Sequence, residues 1–290
     1  MRSSTAPGYT SRVEDVPEWV PRQEPVVWGD GDGPLEQDLV HEYDNRGFIE
    51  FDQLFSPSEI LTFENEINQL AHSPKTGVRP EVIREPDDLA VRSIFAVHEL
   101  SDVFRALACD DRLLGPARQV LGSDVYVHQS RVNLKPPFRG KEFYWHSDFE
   151  TWHLEDGMPQ MRAVSFSILL SDNRIDNGSL MIVPGSHRHF LGCVGVTPER
   201  HFEQSLRAQE YGTPDDGALT RLMGEHGIAT VTGSPGSTVM FDSNCMHGSN
   251  SNITPFPRAN IFIVFNSVDN ALGDPRTGQP PRPDYIASRP

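Results

Sequence analysis

The sequence predicts a mainly β fold with flanking helices, and three observations predict it. Helical patterns dominate only as far as Gly122. From Asp124 the apolar period changes to two, and short strand-like runs then alternate with turn signals as far as Val268. Many short strands at this spacing, with helices packed mainly from the N-terminal half, argue for a double-stranded β-helix, that is, a cupin-like jelly roll. The chain has 290 residues, a length that all-β barrels commonly reach as one unit, so a single domain over 34–290 is expected. Residues 1–33, rich in Pro, Gly, Ser and charge, read as an irregular arm, and about 197–227 as an inserted helical or loop segment.

Each element has its own signal. Leu35, Leu39 and Tyr43 are spaced four apart and followed by Gly47, giving a short helix with a glycine stop. Phe48 to Leu54 follows as a strand. Ser56 at an N-cap, Pro57 at the first helical position and Glu59 three residues after the cap form a capping-box pattern. Behind it, Ile60, Leu61, Phe63, Ile67 and Leu70 supply a buried stripe. A helical stretch runs from about Ser101 to Leu121, broken near Asp110 and stopped at Gly122. In Val125 to Lys135 the odd positions end in Gln129, Arg131, Asn133 and Lys135, which share one strand face, with Tyr126, Val132 and Leu134 opposite. That polar face is either solvated or turned into a ligand cavity. Further strands are expected at Met161 to Leu170, Ser179 to Val183, Ile228 to Val231, Ser237 to Phe241 and Arg258 to Val268, several of them separated by Asp-Asn, Asn-Gly and Pro-Gly turns.

Bulk properties exclude some partners. The formal charge is −16, from 41 acidic and 25 basic residues, a surface that repels nucleic acid and anionic membranes. Three scattered cysteines, Cys109, Cys193 and Cys245, make neither a disulfide framework nor a CxxC zinc site. Met1 to Thr10 has no apolar leader core, and no run approaches membrane-spanning length. A reduced, cytoplasmic protein is the expectation; a homodimer is left open.

The chemical centre of the sequence is Phe143-Tyr144-Trp145-His146-Ser147-Asp148. If this is extended chain, His146 and Asp148 leave the same face and can share one ion. His247 follows a separate strand. Two imidazoles and a carboxylate on one side of an ion form the facial triad of non-haem iron(II) oxygenases, although a zinc site can use the same set. Arg258, eleven residues after His247 at the start of the next strand, favours iron with 2-oxoglutarate. That co-substrate needs a basic group for its far carboxylate, and arginine offers a bidentate fork. Lys135 and Asn133 stand on a face that could hold the same molecule. His128, His153, His187 and His189, with Asp242 and Glu150, read as structural or exposed groups rather than ligands, and Cys245 as core.

Trp145 to His153, continuing through Glu155-Asp156-Gly157-Met158-Pro159 and Met161-Arg162-Ala163, resembles the signature segment of the ectoine hydroxylases within the phytanoyl-CoA dioxygenase-like superfamily. Val183 to His187 resembles that superfamily's usual turn. Cys245 to Asn250 and Asn252 to Arg258 also resemble the ectoine hydroxylase pattern, and the match extends from about Tyr43 to Asn270. The resemblance implies a jelly-roll dioxygenase domain, Fe(II) as cofactor, and 2-oxoglutarate and O2 as co-substrates. The reaction it implies is conversion of ectoine to 5-hydroxyectoine with release of succinate and CO2. Carried over by position, His146, Asp148 and His247 bind iron, and Lys135 and Arg258, with Asn133 and Ser167, hold 2-oxoglutarate. Gln129 and Trp152 contact ectoine, with Phe95, Phe265 and Arg282 as further contacts. Phe265 has the opposite strand parity from Arg258, so both reach one cavity only if the strand bulges or the site wraps its edge. Two alternatives stay open: the same chemistry on another small molecule, and a metal-free or zinc-bearing jelly-roll binding protein. A halogenase is disfavoured, because halide takes the position that Asp148 occupies.

Overall fold

The structure, a computed structural model, describes residues 8–12, 19–30, 32–72, 79–84, 90–199, 202 and 212–289. Much of the N-terminal arm and most of the stretch 200–211 therefore lie outside the described residues. What is described of the arm is partly ordered by pairing: β1 (Trp19–Pro21) runs antiparallel to residues 189–191.

Helices are concentrated early, where the sequence carries their caps. α1 (Gln37–Arg46) buries Val40 and Tyr43 and stops at Gly47, whose φ of 81° lies in the left-handed region. A side chain there would also collide, since a Cβ would sit 2.4 Å from His187 Nδ1. After β2 (Phe48–Phe51) comes α2 (Pro57–His72), with both arms of the capping box made. The Ser56 amide donates to Glu59 Oε2 at 2.8 Å, and the Glu59 amide donates to Ser56 Oγ at 3.4 Å. Ile60, Phe63 and Ile67 are buried as expected, but Leu61 is 57% exposed, because one residue is about 100° of rotation away from Ile60. β3 (Val82–Arg84) and β4 (Val91–Phe95) form a hairpin-like pair that carried no clear sequence signal. Then α3 (Val97–Leu100), α4 (Asp102–Ala108) and α5 (Asp111–Leu121) follow. The break falls at Asp110, which caps α5 by accepting the Arg112 amide at 2.9 Å.

The second half supplies β5 (Val125–Lys135), β6 (Phe143–His146), α6 (Asp148–Glu155), β7 (Ala163–Leu169), β8 (Leu180–Ile182) and β9 (His189–Leu191). It ends with α7 (Asp216–His226), β10 (Ala229–Thr230), β11 (Thr238–Asp242), β12 (His247–Ser249) and β13 (Arg258–Ser267). A seven-stranded sheet runs β2-β11-β7-β13-β5-β4-β3, and a four-stranded sheet runs β10-β8-β12-β6. All these pairings are antiparallel.

Strand alternation divides the large sheet into two faces. Val132, Val164, Phe166, Ile168, Ile261 and Ile263 join the helical residues Ile60, Phe63, Phe104 and Leu113 in the main core. The opposite face meets the small sheet, where Val239, Phe241 and Phe262 pack with Leu180 and Ile182. This two-sheet arrangement is the expected jelly roll. It also decides the polar row of β5. Gln129, Asn133 and Lys135 are buried on the face opposite Val132, so the row looks into the space between the sheets. Among the described residues, no helix is long and apolar enough to cross a membrane.

Candidate active site

The ligand atoms of His146, Asp148 and His247 lie within 4.8 Å of one another, and no other such group of His, Cys, Asp or Glu occurs among the described residues. His146 ends β6 and is the register partner of His247, which begins β12. The extended-chain condition under which His146 and Asp148 would share a face does not hold at Asp148. That residue is the first of α6, so a strand-to-helix turn at Ser147 brings the carboxylate under both rings. Asp148 Oδ1 is 3.7 Å from His146 Nε2, and Asp148 Oδ2 is 3.9 Å from His247 Nε2. His146 Nδ1 faces the Tyr144 carbonyl at 2.6 Å and His247 Nδ1 faces the Cys245 carbonyl at 3.0 Å. A nitrogen facing a carbonyl carries the hydrogen, which leaves each Nε2 lone pair turned toward Asp148. Burial and the neighbouring His247 push the His146 imidazole down to about 4, so it stays neutral, as a metal ligand must. Burial opposes ionisation of Asp148, but His247, Arg131 and His146 outweigh it and hold its carboxyl below the usual range. Two imidazoles and one carboxylate on one side fit a divalent iron with open positions opposite.

A second buried polar cluster lies on the face of the large sheet that meets the small sheet. Arg258 and Lys135 are register partners on β13 and β5. Lys135 Nζ donates to Ser249 Oγ at 2.8 Å and also reaches the Asn250 carbonyl. Asn133 Oδ1 accepts from Ser93 Oγ at 2.8 Å. With the Asn260 amide oxygen turned toward Ser167, it accepts from Ser167 Oγ at 2.9 Å and from Arg258 Nη2 at 3.1 Å. Burial, reinforced by Arg131, pushes the Arg258 guanidinium down to about 10. No carboxylate among the described residues pairs with Arg258, and a buried cation in that position is costly until an anion meets it. The expected residues Lys135, Asn133, Ser167 and Arg258 thus share one wall, and Asn260 and Ser249 join it. Sequence reasoning missed these two, although Asn260 lies two residues from Arg258 and hence on its face.

The remaining expected residues are all buried, and one of them lies on the opposite face of the large sheet. Gln129 is buried; its Nε2 donates to the Ile286 carbonyl at 2.7 Å and its Oε1 accepts from Arg131 at 2.6 Å. Trp152, on α6, packs with Phe149 and Val264, and Phe95 is the register partner of Arg131. Arg282 is buried and grips Asp156 with a two-pronged ion pair. Arg131 itself is a further residue the reading left without a role: it is stacked on Phe262 at 4.8 Å, and the charge of Asp148 acts on it. The exception is Phe265. Alternation along β13 is regular against β7, so Phe265 shares the face of Ile261 and Ile263. It lies in the helix-side core, edge-on to Phe166 at 5.9 Å, and this corrects its assignment as a substrate contact. The bulge that could have rescued it sits on the partner strand, where His128 is the extra residue.

The groups read as structural have structural partners. His153 Nδ1 faces the Met158 carbonyl at 2.7 Å and His187 Nε2 the Asp44 carbonyl at 3.0 Å. Asp242 pairs with Arg22, Glu150 with Arg12, and Cys245 lies in the inter-sheet core.

The chain's known relatives point the same way. The family model of phytanoyl-CoA dioxygenase (PhyH) matches residues 43–260. An ectoine dioxygenase of Bordetella bronchiseptica is 53% identical over 100% of this chain and 94% of its own length. One of Streptomyces coelicolor is 51% identical over 93% of this chain and 91% of its own length. Among solved structures, EctD from S. alaskensis with 2-oxoglutarate and 5-hydroxyectoine superposes with a TM-score of 0.88 at 44% identity, covering 97% of this chain and 94% of that one.

Proposed function

The chain belongs to the phytanoyl-CoA dioxygenase family, and from that membership we propose that it is an ectoine dioxygenase, converting ectoine to 5-hydroxyectoine with Fe(II), 2-oxoglutarate and O2. The observation that carries the proposal is the clustered His146-Asp148-His247 set together with a buried guanidinium, Arg258, that no carboxylate among the described residues pairs. When bound, iron(II) supplies the oxygen chemistry in which 2-oxoglutarate and O2 give succinate, CO2 and one hydroxyl group on the substrate.

The protein's own part is positioning. His146, Asp148 and His247 hold the metal from one side and leave the other open. Arg258 and Lys135 fix the far carboxylate of 2-oxoglutarate, with Ser167 and Asn133 beside them. Arg258 is itself oriented by Asn260. Ectoine is a small ring with a delocalised cation and a carboxylate. The Trp152 face suits the cation, with an attraction of roughly 0.5–2 kcal/mol. Gln129 and Phe95 flank the ring, and Arg282 meets the carboxylate. Burial of this wall excludes water and keeps the oxidant directed at the substrate. The proposal extends to a cytoplasmic homodimer. Cys109, Cys193 and Cys245 are free thiols, and Phe138, Ile253 and Phe256 form an exposed apolar surface for a second copy. Light scattering tests the dimer.

The function is tested by loading the protein anaerobically with iron(II) and 2-oxoglutarate, then adding oxygen with and without ectoine. Ectoine-dependent succinate matched by 5-hydroxyectoine is expected. Succinate without hydroxylated ectoine would retain the oxygenase and discard the substrate. No succinate from folded, iron-loaded protein would return the chain to the binding-protein reading.

A further inference from the structure

The signature segment contains a carboxylate with no assigned role. Asp156 follows α6 and is fully buried, one turn beyond Trp152. Its Oδ1 accepts from Arg282 Nε at 2.7 Å and its Oδ2 from Arg282 Nη2 at 2.5 Å. The same Oδ2 stands 3.8 Å from His128 Nε2, and the His128 ring meets Trp152 edge-on with centroids 4.8 Å apart. His128 is fully buried, and neither ring nitrogen makes a hydrogen bond. A buried polar ring without partners is uncommon and calls for an explanation.

Its place in the fold supplies one. His128 is the bulged residue of β5, immediately before Gln129, and a bulge re-aims the side chains around it. The chain's C-terminal segment is fastened at the same spot. The Ser288 amide donates to the His128 carbonyl at 2.8 Å, Gln129 donates to the Ile286 carbonyl at 2.7 Å, and Arg289 donates to the Asp156 carbonyl at 2.9 Å. Gly157 lets this segment come close: at φ 73° it has no Cβ, which would stand 2.5 Å from the Gly273 carbonyl oxygen. Gln129, Trp152 and Arg282 come from a strand, a helix and the C-terminal segment; Arg282 is held by Asp156, Trp152 meets the His128 ring, and Gln129 is tied to the Ile286 carbonyl.

We propose that Asp156 is a positioning residue for ectoine recognition, setting Arg282 through the ion pair, while the His128 ring beside it buttresses Trp152. The inference rests on the ectoine reading above. Asp156 touches neither the metal triad nor the Arg258 wall, so its influence is confined to the substrate side. A buried carboxylate that grips a guanidinium through two bonds aligns it without contacting the ligand, as supporting groups do around a reactive centre.

The test uses full-length protein loaded with iron(II) and 2-oxoglutarate without oxygen, titrated calorimetrically with ectoine, alongside aerobic KM values for both substrates. Asp156→Asn keeps the size and removes the charge. It is expected to weaken ectoine binding by roughly tenfold or more, the scale of one charge-assisted hydrogen bond, with the 2-oxoglutarate KM within about twofold of the parent. His128→Ala is expected to weaken ectoine binding in the same selective way and His128→Phe to restore it, because the ring acts as a spacer. If Asp156→Asn does not fold, Asp156→Glu, which keeps the charge and displaces the guanidinium, decides. Parent-like ectoine binding in Asp156→Asn, or in Asp156→Glu where that variant decides, overturns the positioning role. So does equal weakening of both substrates, which marks a merely structural effect. A parent protein that gives no heat with ectoine overturns the ectoine reading itself, and the positioning role with it.

Discussion

His146 and His247 are register partners across the β6–β12 ladder, with ring centroids 4.3 Å apart. Two paired strands therefore fix the metal-facing nitrogens, and α6 brings the third ligand. Removing either imidazole leaves two ligands on a site built for three. His146→Ala and His247→Ala are each expected to abolish turnover and to lose bound iron after gel filtration, while melting near the parent temperature. Metal analysis alongside the succinate assay checks this, and a fully active His247→Ala protein would remove the triad assignment.

Arg258 lies in direct register with Lys135, and burial makes its charge expensive until an anion arrives. Arg258→Gln keeps a planar donor and deletes the charge. The expected result is a 2-oxoglutarate KM raised by about 10–100-fold, corresponding to about 1.5–3 kcal/mol for a hydrogen bond to a charged group. The ectoine KM should move far less. A variant with a parent-like 2-oxoglutarate KM would take Arg258 out of the co-substrate site.

Trp152 is carried by the same helix as Asp148, yet it packs away from the triad with Val264 and Phe149. Trp152→Ala should therefore separate substrate from cofactor. Loss of a cation–π contact of roughly 0.5–2 kcal/mol predicts an ectoine KM raised by about 2–30-fold, with the 2-oxoglutarate KM and iron content retained. Steady-state titration of each substrate reads the split.

The metal motif was legible because its members lie in short, chemically distinctive runs, and the polar row of β5 because alternation is local. What escaped depended on partners far along the chain. The turn before Asp148, by contrast, was not read, although Ser147 is an N-cap residue type with Glu150 three residues on. The bulge at His128 exists only relative to β13. Asp156 meets Arg282 across 126 positions and Arg12 meets Glu150 across 138, and no periodicity connects such pairs. Short strands such as β6 and β12 fall below the length at which alternation carries information.

Arg12, in the irregular arm, is held firmly against the fold. It is buried at φ 57° and forks onto Glu150, with a second bond to Glu155, so it ties the arm to α6. Arg12→Ala would leave two buried carboxylates without their cation. The expected cost is about 3–5 kcal/mol of unfolding free energy, read from the urea midpoint. Arg12→Lys should recover only part of it, since an ammonium cannot reproduce the fork. A midpoint unchanged in Arg12→Ala would mean that the clasp adds nothing to the fold.

Phe265 distinguishes the two sides of the large sheet most sharply. The resemblance assigns it to the substrate, whereas its register with Val164 and its edge contact with Phe166 put it among the helix-side core residues. Phe265→Leu keeps an apolar side chain of similar bulk. If the residue is core, stability falls by about 1 kcal/mol and ectoine KM is unchanged. If it touches ectoine, KM rises while the melting curve stays with the parent. Paired thermal melts and ectoine titrations on this one variant decide, because β13 sends Arg258 and Phe265 to opposite faces and a regular strand cannot serve both roles.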